Sequence, residues 1–425
     1  MVDFAPQASL QGRMRPPPPL RAAKPARSSS AIKTCFITDS PRTATLRLSR
    51  AAVDSGLLDP PIWWDLASPR VLGGTVSVVI GWDIGGAHLK AARVKHGRVE
   101  AVVQAATPLW LGLDSLKVAF DALSAQLGRA DRHVITMTGE LCDAFPSRRE
   151  GVAGLAAIAA NHLTPAAPSL YAGRAGFVEL GDAASYAVDI ASANWHASAA
   201  LLALKLPDAL FIDIGSTTTD VIPIVASQVA AVGYSDAERL VAGELIYTGM
   251  TRSFVMSLAS RAPFRGAWSP LMNEYFASSA DVHRILDGLP EGADKMATAD
   301  GREKTVEASR ARLARMIGRE ADEGSDLEWT GLAAWFAEAQ IRQITDAASL
   351  RLSRNDVAVA APVVAAGVGE GLAAEVARRL RRLCLGFSSL IAAPAEASHC
   401  APAVAVALLS ASAESEVVVG QQGGR

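Results

Sequence analysis

Two stretches of this sequence set an acid and a glycine at the end of an apolar run: WDIGGAHLK, with Asp83, Gly85 and Gly86, and IDIGSTTTD, with Asp213 and Gly215. Glycine leaves backbone N–H groups unobstructed, so an anionic phosphate oxygen can approach the main chain directly. A carboxylate at the same place repels phosphate unless a cation lies between them. That requirement points to Mg²⁺, which keeps waters and takes one or two carboxylates together with phosphate oxygens. Asp83 and Asp213 are therefore candidate metal ligands and catalytic residues. Gly85, Gly86, Gly215, Ser216, Thr217 and Thr218 are candidate phosphate donors. Lys90 would add charge just beyond the first turn, unless strand alternation aims it away. A single turn of this kind is more simply a tight hairpin. Two copies in repeated surroundings favour phosphate.

Other residues could complete such a site. In VAAGVGEGL, Gly367 and Gly369 lie in a turn leading from strand to helix, where a phosphate-bearing ligand could rest on a helix N-terminus, or where the chain simply reverses. Glu140 in MTGEL is either a general base, a holder of a metal-bound water or an exposed loop acid. In SANWHAS, Asn194, Trp195 and His196 could contact substrate, Trp195 by stacking and His196 by moving protons; a core tryptophan and a satisfied histidine are the plainer alternative. Arg252 in YTGMTRSF is an anion clamp or a surface arginine. The tract DGREKTVEASRARLARMIGRE alternates charge at helical spacing, as solvated faces do, although Lys304, Arg310 and Arg312 could also bind an acidic substrate.

The elements that must position these residues read as two copies of one unit. VSVVIGWDI, LKAARVKH and RVEAVVQA are three strands joined by Gly85-Gly86 and His96-Gly97, an antiparallel meander. Helical stretches flank the strand HVITMTG, and the alanine-rich ASANWHASAALLALKL follows. At 209 the order restarts with ALFIDIGSTTTDVIPIVASQVAAVG. The repeat predicts two lobes, 76–205 and 206–412, with a cleft between them. Within the second lobe, FRGAWSPLMNEYF reads as loop, about 280–325 as a charged stretch, WTGLAAWFAEAQIRQITDAASLRLS as a long helix and DVAVAAPV as a buried strand. Residues 1–75, with their MRPPPPL run, read as a disordered or spurious extension, and 413–425 as a flexible tail.

Composition narrows the partners. Half of the 425 residues are hydrophobic, and 41 basic residues against 43 acidic ones leave a net charge of −2. No global field favours nucleic acid or an anionic membrane, so a small phosphorylated molecule is the expected ligand. Cys35, Cys142, Cys384 and Cys400 form neither a CxxC pair nor a disulfide framework, which favours a reducing, cytoplasmic setting. No apolar run is long enough to span a bilayer. The oligomeric state stays open.

Over 78–410 the paired turns and the later glycine turn resemble the superfold of actin, Hsp70 and the sugar kinases. That resemblance implies an α/β, duplicated ribonuclease H-like fold whose two lobes clasp a phosphorylated ligand and Mg²⁺. GWDIGGAHLK, MTGELCDAF, SASANWHASA, DIGSTTTDVIPI, GELIYTGMTRSFV, NEYFASSADVHRIL and DGREKTVEASRARLARMIGRE, in that order, are similar to the hydantoinase/oxoprolinase-related proteins of tetrahydromethanopterin-linked one-carbon metabolism. The resemblance implies a methanofuran-type transferase, in which a phenol oxygen of a tyramine or tyrosine unit attacks the methylene of an aminomethylfuran diphosphate and diphosphate leaves. An ATP-dependent amidohydrolase or small-molecule kinase is the alternative within the same superfold, and an actin-like scaffold is a non-enzymatic one. Ala87 stands where the ATP-using members carry a hydroxyl, which argues against ATP hydrolysis and leaves the binding of ATP open.

Overall fold

The computed structural model describes residues 78–163 and 168–422, with side chains to 412. The expectation for 1–75 lies outside the described residues, as does the end of the expected tail at 423–425. In the first lobe β1 (Val78–Ile84), β2 (His88–Lys95) and β3 (Arg98–Ala106) form the antiparallel meander. After α1 (Asp114–Leu127), β4 (Arg132–Met137) joins the free side of β1 in parallel. Next come α2 (Arg148–His162), β5 (Ser169–Tyr171) parallel to β4, and β6 (Phe177–Glu179) at the edge. α3 (Asn194–Ala203) leads to the second lobe, where β7 (Ala209–Ile214), β8 (Thr219–Val225) and β9 (Gln228–Val229) repeat the meander.

α4 (Asp236–Ala242) and β10 (Leu245–Ile246), which pairs with β8, precede an insertion. The insertion carries the hairpin β11 (Arg261–Phe264) and β12 (Ala267–Pro270), α5 (Ser279–Ile285) and α6 (Val306–Met316). α7 (Asp326–Leu352) returns to the sheet, followed by β13 (Val363–Ala366) parallel to β7, α8 (Glu370–Arg379), β14 (Cys384–Gly386) parallel to β13, and α9 (Ala401–Gln422). The sheet orders are β3-β2-β1-β4-β5-β6 and β10-β8-β7-β13-β14, with β9 also on β8. The antiparallel meander, the parallel strand on its far side and the next parallel strand recur in the same order. This is the duplicated, two-lobed ribonuclease H-like fold.

Strand alternation decides which residues face which layer. Ile80, Trp82 and Ile84 join the core formed with α1 and α2, and Leu210, Ile212 and Ile214 the core formed with α7 and α8. Val79, Ala92 and Val94 of the first sheet and Ala209, Phe211, Ile222 and Ile224 of the second enter one common core with α3 and α9. Both central strands are thus covered on both faces, which is why they read as unbroken apolar runs. The common layer is alanine-rich because the backbones come close. At Gly81 a Cβ would overlap the Ala403 carbonyl oxygen of α9.

Four expectations change. The strand expected in DVAVAAPV begins only at Val363, and Val359 is exposed in a turn. FRGAWSPLMNEYF contains a hairpin strand closed by Gly266 at a φ of 77°. The charged stretch near 280–325, whose helical spacing reads as a solvated face, does form α6, but Arg312, Leu313 and Met316 of that helix are buried. The second lobe does not extend to 412: from 401 the chain returns as α9 to pack on the first sheet, and the helix continues to Gln422 where a tail was expected. Cys142, Cys384 and Cys400 are free thiols, and no helix among the described residues is long and apolar enough to cross a membrane.

Candidate active site

The two turns are built alike. Gly85 N–H donates to the His88 carbonyl at 3.0 Å, and Gly215 N–H to the Thr218 carbonyl at 2.9 Å. Neighbouring main chain takes up the outward carbonyls of both. Leu109 N–H donates to Gly86 O at 3.0 Å and Thr107 N–H to Ala87 O at 2.8 Å, while Met250 and Arg252 N–H donate to Gly215 and Ser216 O at 2.9 and 2.8 Å. With its carbonyls engaged, each turn is left to present N–H groups, the polarity an anion needs. A Cβ on Gly86 would meet no protein atom, so the glycine there keeps space open instead of relieving a clash.

Alternation aims the acids. Asp83 follows Val79 and Gly81 on the face of β1 turned to the common layer, and Asp213 follows Ala209 and Phe211 on the matching face of β7. In the antiparallel registers Lys90 stands opposite Asp83, and Asp220 opposite Asp213. Directly opposed residues share a face. Lys90 therefore points toward the acids, which resolves its open orientation, and Asp220 joins the site as a residue not singled out from sequence.

Burial pushes the Asp83 carboxyl up to about 6, against the opposing pull of Lys90 and a hydrogen bond from Asn194. Burial, then the charges of Asp220, Asp83 and Glu370, push Asp213 up to about 7, again against Lys90. Lys90 offsets only part of this buried negative charge, and Asp83 Oδ1 has no hydrogen-bond partner. Among the described residues no three His, Cys, Asp or Glu side chains cluster as a self-sufficient metal cage. Two carboxylates with an orphaned oxygen fit Mg²⁺ completed by water and phosphate oxygens.

Cationic and neutral groups surround the acids. His88, at the end of the first turn, is held down to about 3 by burial and by the charges of Lys90, Arg252 and Lys295, and so is neutral. Arg252 donates to Thr217 Oγ1 at 3.2 Å and lies over the Trp110 ring at 4.5 Å, so it joins the second turn to the first lobe. His88, Lys295 and Trp110 carried no sequence signal. Nothing in the charge pattern around Lys295 announces that its loop reaches this site.

The other candidates lie elsewhere or serve packing. A Cβ at Gly367, which has a φ of 83°, would overlap the Ile214 carbonyl and Asp213 Oδ1, and one at Gly369 would overlap Ile214 Cγ2. Both glycines let β13 and α8 seat against the second turn, so packing by itself requires glycine at these positions. Glu140 is fully buried, accepts from Ser192 Oγ at 2.9 Å and sits 3.6 Å from Arg148. It is no exposed loop acid: its carboxyl turns to Ser192 and Arg148, while the adjoining Gly139 packs against Gly85 of the first turn. Trp195 is buried beneath Arg239, whose Cζ lies 4.3 Å from the ring centre, and has no face left for a substrate. His196 is held 2.8 Å from the Tyr171 hydroxyl and is pushed down to about 4 by burial, a satisfied core histidine. Lys304, Arg310 and Arg312 pair with Asp294, Asp326 and Asp281, and Arg312 is fully buried, so protein carboxylates take the place of the acidic substrate.

The family model for hydantoinase/oxoprolinase matches residues 131–413. The chain belongs to that family. A curated relative of this hydantoinase/oxoprolinase family member, the (4-{4-[2-(gamma-L-glutamylamino)ethyl]phenoxymethyl}furan-2-yl)methanamine synthase of Methanocaldococcus jannaschii, is 30% identical over 286 residues, covering 66% of this chain and 85% of the relative. The synthase of the same name from Methanococcus vannielii is 34% identical over 108 residues, 25% of this chain and 48% of the relative. Among solved structures, the activator of the 2-hydroxyisocaproyl-CoA dehydratase from Clostridium difficile with bound ADPNP aligns at a TM-score of 0.41 and 13% identity, covering 80% of this chain and 97% of the activator. Acetone carboxylase in its nucleotide-free structure aligns at 0.46 and 12%, covering 78% and 70%. Likeness at that level carries no argument about chemistry. With named synthases as relatives, this hydantoinase/oxoprolinase family member is an enzyme.

Proposed function

We propose that this enzyme is a transferase of methanofuran-type cofactor biosynthesis, supporting tetrahydromethanopterin-linked one-carbon metabolism. It joins the phenol of a glutamyl-tyramine or tyrosine acceptor to an aminomethylfuran diphosphate and releases diphosphate. One observation supports the reading: the same acid-and-glycine turn occurs twice at the ends of matching strands, and the Asp83 carboxyl is near enough to act on that of Asp213. The relatives' names supply the organic half. A phenoxymethyl furan contains one aryl ether bond, between a phenol oxygen and a furan methylene carbon.

In the proposed reaction that carbon–oxygen bond forms as the methylene–diphosphate bond breaks, and the electron pair leaves with the diphosphate. Mg²⁺ held by Asp83 and Asp213 would offset the growing charge on the leaving group. Lys90 and Arg252 add fixed positive charge, and the N–H groups and hydroxyls of Ser216, Thr217 and Thr218 donate to phosphate oxygens. The phenol proton passes to solvent water as the ether bond forms. Ala87, buried without a hydroxyl, fits a donor that arrives already activated.

The test is direct. Purified enzyme, Mg²⁺, aminomethylfuran diphosphate and γ-glutamyl-tyramine are expected to give aryl ether and diphosphate in equal amounts without ATP. ATP consumption with a cyclic amide substrate, and no ether, would replace this reading by the amidohydrolase one. A cytosolic setting is part of the proposal, and fractionation of the producing cells tests it.

A further inference from the structure

The phosphate turns account for Arg252 but not for the aromatic rings around it. Trp110 lies against the guanidinium at 4.5 Å and is still 38% exposed. Ile246 pairs with Thr219 at the edge of the second turn, and the next residue, Tyr247, acts together with Tyr275 on the Arg252 guanidinium and has 70% of its surface exposed. Tyr275 stands edge-on to Phe254, two residues from Arg252, with ring centres 3.8 Å apart and 58% of its surface exposed. Phe254 and Ser278 form a bridge, and Val255 N–H donates to Ala277 O at 3.1 Å, which holds the Tyr275 segment along the Arg252 segment. Three large rings from separate loops are thus partly exposed around one arginine whose other side serves the second turn.

Exposed aromatic rings grouped beside a polar site suit a flat aromatic ligand, which they bind by stacking and edge contacts while its polar end stays hydrated. Core packing does not explain this exposure, since none of the three rings is buried. We infer that Trp110, Tyr247 and Tyr275 form the acceptor subsite, which receives the aromatic ring of the phenol and holds it beside the diphosphate turns. This rests on the proposed function, and it assigns specificity for the acceptor to residues that do not touch the diphosphate. Arg252 divides the two halves of the site, with its guanidinium between Trp110 and Thr217.

The two tyrosines carry the test, because replacing Trp110 would also release Arg252. In the full-length protein, binding of γ-glutamyl-tyramine and of inorganic diphosphate with Mg²⁺ is measured separately by titration calorimetry. Tyr247→Ala and Tyr275→Ala should each weaken the phenol about fivefold to tenfold and the double variant more, with diphosphate affinity unchanged within about twofold. Tyr247→Phe and Tyr275→Phe, which keep the rings, should restore phenol binding. Unchanged phenol affinity in the double alanine variant overturns the subsite, as does a parallel loss of diphosphate affinity or wild-type protein that binds no phenol. Failure of the proposed function reads differently: wild-type protein binds the phenol through these tyrosines yet forms no ether.

Discussion

Asp83 and Asp213 concentrate the conflict between stability and function in this enzyme. Both carboxyls hold their protons more tightly in the folded protein, at about 6 and about 7, than at their ordinary 3.8. For groups raised in this way, the folded state binds more protons than the unfolded one between those values. Their contribution to stability is therefore full below about pH 4 and is lost as pH rises through about 6 to 7. Thermal unfolding of the ligand-free protein from pH 5 to 8 should show this decline, and the double variant Asp83→Asn with Asp213→Asn should flatten it. At pH 8 each single Asn variant is expected to melt higher than the parent and yet lose about 100-fold or more in ether formation. Turnover unchanged in both would remove the paired-turn site. At the same pH, Mg²⁺ with diphosphate should stabilise the parent by about 3 kcal/mol at 100 times the dissociation constant, and the Asn variants much less.

At the scale of elements, the strand–turn–helix unit from β13 to α8 is fitted against the second turn with no spare room. Gly367 combines a φ of 83° with direct contact against Ile214, so a methyl group there meets both backbone strain and overlap. Gly367→Ala is expected to destabilise by about 2–4 kcal/mol in urea unfolding and to weaken diphosphate binding by displacing Asp213. Gly371→Ala, whose Cβ meets no neighbour, is the control and should stay within about 1 kcal/mol of the parent. The meander strands and the turns were readable because alternation and glycine punctuation are local. The β11–β12 hairpin was not, since its pairing is that of a short two-stranded ribbon without a sustained apolar pattern.

Across the whole molecule, one polar chain ties the lobes together behind the acids. Arg148 pairs with Asp236, Ser192 donates to both Glu140 and Asp236, and Arg239 pairs with Asp220 while covering Trp195. Ser192 takes a φ of 53° to make its two contacts, a conformation the surrounding packing must hold. Replacing Arg239 by Met leaves Asp220 buried beside Asp213 without its cation. A loss of about 3–5 kcal/mol is expected on chemical unfolding, and Asp220→Asn added to it should recover part of that loss. Full additivity of the two substitutions would show that the pair is not coupled.

The sequence by itself determined the repeated meander, the two acid-glycine turns and the family, because each rests on neighbours close in the chain. It also contained the alternation that turns Asp83 and Asp213 to the same kind of face. Only the tertiary structure decided that those faces meet in one layer, with Lys90 opposite one acid and Asp220 opposite the other. It likewise withdrew Glu140, Trp195 and His196 into the interior and brought Trp110, Arg252 and Lys295 to the turns from distant segments. Burial and charge depend on what the rest of the chain stacks around a residue. In this fold that surrounding layer includes α9, which begins 318 residues after Asp83.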